Sequence, residues 1–250
     1  MLDRLKMTGQ AMTMRVAQLE TIANNLANVS TTGFKRDELF VNELEKKLKA
    51  AQFDGFLAKD KVPTTGAVID FSQGSLKGSG RTLDVAISGE GLFVVETTQG
   101  ESYTRDGRFT LNADGVLTNL GGLPILGEGG QIEIDLQQNT PSQIIINDQG
   151  EVLVDGNTID TLRLAAVDDV RNLKKAGENL YQLAPGAAAL NPAESISVRQ
   201  GFVEESNVNP IYEMVSLIEV QRAYQTGQKM IQEQDRLLGR AVTEISRVNQ

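Results

Sequence analysis

Between Pro210 and Val248 the residues Leu217, Tyr224, Ile231, Leu238 and Ile245 recur every seven positions. Three residues after each stand Val220, Gly227, Gln234, Ala241 and Val248. On an α-helix this 3-then-4 spacing lays both series along one narrow stripe, a seam of coiled-coil type. The opposite face carries Gln, Arg, Lys, Glu and Asp. Such a helix cannot bury its stripe against itself and needs partner helices. The second series is poor at Gly227, Gln234 and Ala241, which favours several close helices over a simple two-stranded zipper. The other end of the chain carries the same seam, with Leu2, Gly9, Val16 and Ala23 as one series and Leu5, Met12, Leu19 and Leu26 as the other. Apolar helical stripes are usually plain core, so two core helices of an ordinary globular domain are the competing reading.

A chain of 250 residues suffices for one large domain or two smaller ones. The net charge of −9 argues against a nucleic-acid binder, whose footprint is a basic patch. The chain contains neither Cys nor His. That removes disulfides, thiol nucleophiles and zinc–thiolate sites, together with the commonest general base and metal ligand. Asp3, Arg4 and Lys6 interrupt the N-terminus, so no signal peptide is expected there, and no run has the length of a membrane span.

Residues 1–28 read as a first helix ending near Asn24, Asn25 and Asn28, and Ser30-Thr31-Thr32-Gly33 reads as a turn. Helical composition predicts a second helix over Asp37–Gln52. From Gly66 the character changes: fourteen of the 24 glycines fall between Gly66 and Gly130, punctuating short β-branched and aromatic runs. Leu83–Ile87 and Leu92–Val95 are expected strands, as are Gln143–Asn147, Val152–Val154, Thr161–Val167 and Asn179–Leu183. Gln131–Leu136 alternates, with Ile132, Ile134 and Leu136 expected inside and Glu133 and Asp135 outside. Asp169–Ala176 reads as a short helical turn. Gln200–Asn209 leads out of the β region, and Ser206-Asn207 reads as the start of the last helix, with Glu213 in its first turn.

The fold expected is α+β: N- and C-terminal helices pairing as a coiled-coil-like core, with a central all-β domain between them. The divisions fall at 1–65 for the N-terminal helical segment and linker, 66–200 for the β domain and 201–250 for the C-terminal helical segment.

No catalytic constellation stands out. Gly74, Gly78 and Gly80 near Lys77 and Arg81 do not match a phosphate loop. Asn112-Ala113-Asp114-Gly115 lacks the full calcium-loop spacing and reads as a hairpin turn. Asp168-Asp169 reads as a helix N-terminus or a solvated loop, and Tyr103–Arg108 as a solvated hairpin. No cofactor or metal site is expected.

Several strings carry a resemblance. Ala23-Asn24-Asn25-Leu26-Ala27-Asn28-Val29-Ser30-Thr31-Thr32-Gly33-Phe34-Lys35 resembles the N-terminal signature of bacterial flagellar rod and hook proteins. Gly74–Leu76 through Leu83–Ile87 to Gly91–Phe93, and Tyr103–Phe109 followed by Asp114-Gly115, are similar to that family's middle region. Gly201–Asn209, with Ser206, Asn207 and Val208, and then Gln221-Arg222-Ala223-Tyr224, resemble its C-terminal signature. The resemblance spans essentially the whole chain, and the two end motifs in this order are highly specific.

The resemblance implies terminal helices that pair along the inner wall of a tubular axial structure, with the β domain further out. On it, Leu5, Met12, Leu19, Leu26, Leu217, Tyr224, Ile231, Leu238 and Ile245 are the expected assembly seam. Asn24, Asn25, Leu26, Asn28, Gly33, Phe34, Ser206, Asn207, Val208 and Arg222 are the family motif. The implied function is a structural subunit of the basal-body rod, in the periplasm-spanning rod, transmitting torque from motor to hook. Its partners would be copies of itself, neighbouring rod subunits and the flagellar type III export apparatus, with no cleaved signal, no nucleic acid and no membrane insertion. Gly122–Gly127 with Gly129–Ile132 looks more like the proximal-rod type than the distal-rod type, whereas Gln221–Tyr224 suits the distal type at least as well. The alternative from a different class is a soluble β-domain binding protein that dimerises through its terminal helices.

Overall fold

The structure is a computed structural model that describes residues 2–41, 65–135, 143–167, 169–187 and 196–248. Two helices flank a β-rich middle. The chain forms two compact units, one from the described residues within 1–27, 37–68 and 209–250, the other from 28–36 and 69–208.

In the first unit, helix α1 spans Leu2–Ala27 and helix α2 spans Pro210–Val248. The two helices pack against each other. Asn209 starts α2: its side-chain oxygen accepts from the amides of Ile211 and Tyr212 at 3.1 and 3.2 Å. Pro210, with no amide to satisfy, takes the first helical position. Capping therefore falls to Asn209, not to the Ser206-Asn207 pair that the sequence suggested.

Strands β1 (Asp37–Val41) and β2 (Thr65–Ile69) pair with each other. The helix predicted over Asp37–Gln52 is thus wrong at its start; residues 42–52 lie outside the described residues. Two contacts override helical propensity here. β2 offers a ladder partner distant in sequence, which a propensity reading does not see. The Asn25 side chain also grips the Asp37 backbone like a second strand, its oxygen accepting from the Asp37 amide and its Nδ2 donating to the Asp37 carbonyl, both at 2.9 Å.

The second unit is antiparallel β. Its strands are β3 (Leu76–Gly78), β4 (Val85–Ser88), β5 (Leu92–Thr97), β6 (Gly100–Thr104), β7 (Phe109–Leu111), β8 (Leu117–Asn119), β9 (Leu126–Gly127) and β10 (Gly130–Gln131). They continue with β11 (Ile144–Ile146), β12 (Glu151–Val154), β13 (Asn157–Thr161), β14 (Leu164–Ala165), β15 (Leu173–Gly177), β16 (Leu180–Leu183), β17 (Ser197–Gln200) and β18 (Phe202–Glu204). The main sheet runs β14-β5-β6-β16-β15, a second runs β11-β12-β13, and β17 pairs with β4 while β18 pairs with β3.

Strand β5 lies between two apolar clusters. Phe93 and Val95 point into one with Val85, Phe109 and Leu117; Leu92 and Val94 point into the other with Tyr103 and Tyr181. Burial on both faces explains why Leu92–Val95 is a continuous apolar run rather than an alternating one. Phe93 meets Phe109 edge to face, ring centres 5.0 Å apart.

The alternation of 131–135 correctly sorts Ile132 and Ile134 inside and Glu133 and Asp135 outside, while Leu136 lies outside the described residues. The regular ladder, however, stops at Gln131, and beyond it an isolated bridge joins Val116 to Glu133. Expected Thr161–Val167 is divided between the end of β13 and β14. The turn expected at Asp169–Ala176 is a 3₁₀ turn at Val170–Asn172, after which the chain is strand β15.

Candidate functional site

Three segments distant in sequence meet at Glu204. Strand β18 delivers this residue, and its side chain is 1% exposed. Its Oε1 accepts from Lys35 Nζ at 2.6 Å and from the Gly74 amide at 2.9 Å, and its Oε2 accepts from Arg105 Nε at 2.5 Å. Lys35 and Arg105 are themselves buried, at 1% and 4% exposure. Arg105 also donates to the carbonyls of Ile87, Gly89 and Gly91, and Lys35 to that of Ser72. Two cations thus share one carboxylate out of contact with water. Burial pushes the Lys35 amine below its usual range, and Glu204 offsets that only in part.

The backbone around this cluster is equally close-set. The Gly33 amide donates to the Glu204 carbonyl at 2.8 Å, and the Glu205 amide to the Ser75 carbonyl at 2.9 Å. A β-carbon on Gly33 would come 2.5 Å from the Asp106 nitrogen, and one on Gly74 would come 2.0 Å from the Glu205 carbonyl oxygen. Gly33 also has φ +69°, where a side chain is strained.

Asn207 repeats the device of Asn25. Its oxygen accepts from the Arg36 amide at 2.8 Å, and its Nδ2 donates to the carbonyls of Asp70 at 2.8 Å and Ser72 at 3.1 Å. Further along, Asn179 donates to the Thr32 carbonyl, Lys175 donates to the Lys35 carbonyl, and the Lys175 amine lies 4.1 Å from the Phe34 ring centre.

The reading of Tyr103–Arg108 as a solvated hairpin is therefore wrong for its first half. Tyr103, Thr104 and Arg105 are all buried. Solvation is avoided because the carbonyls of the β4–β5 turn and Glu204 take the place of water around the guanidinium. Asp106 and Arg108, by contrast, form a partly exposed pair at 2.6 Å. Asn112 forms the expected turn, its side-chain oxygen accepting from the Asp114 and Val116 amides.

Among the family-motif positions, Asn25, Gly33, Phe34 and Val208 are buried, Leu26, Asn28, Ser206 and Asn207 are half-buried, and Asn24 and Arg222 are exposed. Lys35, Arg105 and Glu204 are not among the seam or motif positions expected from sequence, although Lys35 closes the N-terminal signature string and Arg105 lies within the Tyr103–Arg108 stretch.

Along α2, Leu217, Val220, Tyr224, Gly227, Ile231 and Gln234 are half-buried, whereas the residues between them are mostly exposed. On α1, Met12, Leu19 and Leu26 are half-buried, while Val16 and Ala23 of the other series are exposed. The side chains of Leu5, Leu238 and Ile245 lie outside the described residues. Off the stripe, Ile211, Met214, Val215 and Ile218 are exposed at the start of α2.

A cavity of about 520 Å³ adjoins the cluster, with Lys35, Arg105, Phe71, Leu92, Val167 and Leu173 in its wall. Among the described residues no group of His, Cys, Asp or Glu could hold a metal ion, and no helix is long and apolar enough to cross a membrane.

Comparison with known proteins accounts for these motifs. Residues 6–35 match the family model "Flagella basal body rod protein", 86–154 match "Flagellar hook protein FlgE/F/G D1 domain", and 199–244 match "Flagellar basal body rod FlgEFG protein C-terminal". The chain is 37% identical to the flagellar basal-body rod protein FlgF of Caulobacter vibrioides, over 95% of each chain. It is 32% identical to FlgF of Mesorhizobium japonicum over 83% of each, and 34% identical to the rod protein FlgG of Buchnera aphidicola subsp. Acyrthosiphon pisum over 88% of this chain and 91% of that one. The proximal-rod type fits these relatives. They are structural proteins and not enzymes, in keeping with a buried ion cluster whose groups are spent on one another. From its terminal signatures and its full-length relatives, the chain belongs to the flagellar basal-body rod protein family.

Proposed function

We propose that this chain is a rod subunit that assembles through its terminal helices into the axial drive shaft carrying torque from motor to hook. The observation that carries the reading is the α2 stripe. Leu217, Tyr224 and Ile231 lie on the face turned from solvent yet keep part of their surface exposed. A long helix with a half-covered seam has apolar area left to bury, and burial of one such side chain contributes about 1.5–3 kcal/mol.

In this reading Met12, Leu19 and Leu26 of α1 and the α2 stripe form a coiled-coil-like pair that meets the pairs of neighbouring subunits. Contacts that repeat head to tail build an open helical array, whereas a self-complementary patch closes as a dimer. The partners are copies of this chain and neighbouring rod subunits, reached after passage through the flagellar type III apparatus. The site of action is the periplasm-spanning rod of the basal body. The Lys35–Glu204–Arg105 cluster holds the segments leading from α1 and into α2. Light scattering of the purified chain against concentration tests the mode of assembly. Continuous growth in particle size supports the rod reading, and a plateau at the mass of a dimer contradicts it.

A further inference from the structure

The ion cluster has an asymmetry that bears on the order in which the β unit closes. Arg105 is held by the carbonyls of Ile87, Gly89 and Gly91, all within its own neighbourhood of β4, β5 and β6. Lys35 has no such local support. Its amine bonds the Ser72 carbonyl and Glu204, and Glu204 lies 169 residues further along the chain. Without Glu204, docking Lys35 would bring a second cation beside the Arg105 guanidinium in a site closed to water. Like charges and lost hydration both oppose that step. Asp70, the other carboxylate acting on Lys35, is half-buried and weaker in its effect.

We propose that Glu204 is a charge-gated latch, so that residues 31–36 and 202–208 dock onto the β unit together or not at all. The backbone reinforces the coupling. The Gly33 amide bonds the Glu204 carbonyl, the Gly74 amide bonds the Glu204 carboxylate, and Asn207 ties Arg36 to Asp70. A chain that stops short of β18 lacks the carboxylate that pairs Lys35, and the Asn179 and Lys175 contacts to the Thr32 and Lys35 carbonyls do not neutralise that amine. Its N-terminal motif therefore stays undocked, whatever the state of the apolar core around β5.

Hydrogen exchange on the full chain tests this, comparing wild type, Glu204→Gln and Lys35→Met/Glu204→Gln. The reporting amides are Gly33, Asp70 and Glu205, which bond the carbonyls of Glu204, Arg36 and Ser75. The internal reference is the amides of the β5–β6 ladder. In Glu204→Gln the reporters should exchange at least about a hundredfold faster, the cost of leaving buried charges without their partner, while the ladder stays protected. In the double variant one cation is gone, and the carboxamide in place of the Glu204 carboxylate accepts from Arg105 through its one oxygen, leaving the Gly74 amide without that acceptor. The reporters should then return to within about tenfold of wild type, the loss of one net hydrogen bond. Wild-type exchange in Glu204→Gln would overturn the latch. So would equal loss at reporters and ladder, which would make Glu204 a global support, or a double variant as open as the single, which would remove charge as the cause.

Discussion

Met12 of α1 and Gly227 of α2 lie so close that a β-carbon on Gly227 would stand 3.3 Å from Met12 Cγ. The seam tolerates a glycine there because the Met12 thioether fills the space. Gly227→Ala should be close to neutral. The unbranched Met12 chain can shift by a few tenths of an ångström, and alanine favours the helix by about 1 kcal/mol. Gly227→Leu cannot be absorbed that way and should cost about 1–3 kcal/mol by overpacking. Helix content followed by circular dichroism during urea melts distinguishes the two.

At Gly107 the constraint is steric and backbone-to-backbone. A β-carbon would fall 1.6 Å from the Val85 carbonyl oxygen, and the Val85 amide donates to the Gly107 carbonyl at 2.8 Å. Neither strand end can move without breaking that bond. Gly107→Ala should destabilise the β unit by about 3 kcal/mol or more, read from the thermal melt of its strand signal.

Asn207 both accepts and donates, so charge without shape should fail there. Asn207→Asp keeps the Arg36 amide contact but turns a donor toward Asp70 and Ser72 into an acceptor facing two carbonyls. A loss of about 1–3 kcal/mol is expected in urea unfolding, exceeding that of Asn207→Ser, which leaves room for water.

Lys35 predicts a pH signature. Its folded pKa lies below the ordinary lysine value of 10.5, chiefly because of burial. Between those two values the unfolded chain binds more protons at this site, so stability should rise with pH across that window. Glu204, Arg105 and Asp70 face the amine in the wild type. Lys35→Met, with no amine to titrate, should lose the rise. The difference between the two stability–pH curves is the measurement.

Periodic and turn signals carried most of what the sequence could tell. The seven-residue repeat picked the residues of α2 that lie half-buried, because a long helix imposes one period on all of them. Asn112–Gly115 made its turn, because turn chemistry is local. β1 was misread because its partner β2 lies beyond any local window. Arg105 was misread because its solvation shell is built by Gly91, Gly89, Ile87 and Glu204, none of which its immediate neighbours announce. Gly107 looked like a hairpin glycine, yet what requires it is the approach of Val85. The family resemblance added the motif positions, and the structure supplies the reason for Asn25, Gly33 and Asn207: side-chain amides and a bare α-carbon where chains must touch.

The claim that the helix stripe is the assembly surface, separate from the core of the β unit, is tested most directly at Ile231. Ile231→Asp removes about 1.5–3 kcal/mol of burial and adds a charge whose enclosure costs several more. Ile134, 1% exposed within the β unit, is the control. Incorporation into basal-body rods would be measured for both variants by fractionation, alongside melts of the purified chains. Ile231→Asp should be absent from rods while its β unit melts like wild type, and Ile134→Asp should unfold the β unit. Rods that contain Ile231→Asp, or a β unit that melts as early in it as in Ile134→Asp, would contradict the claim.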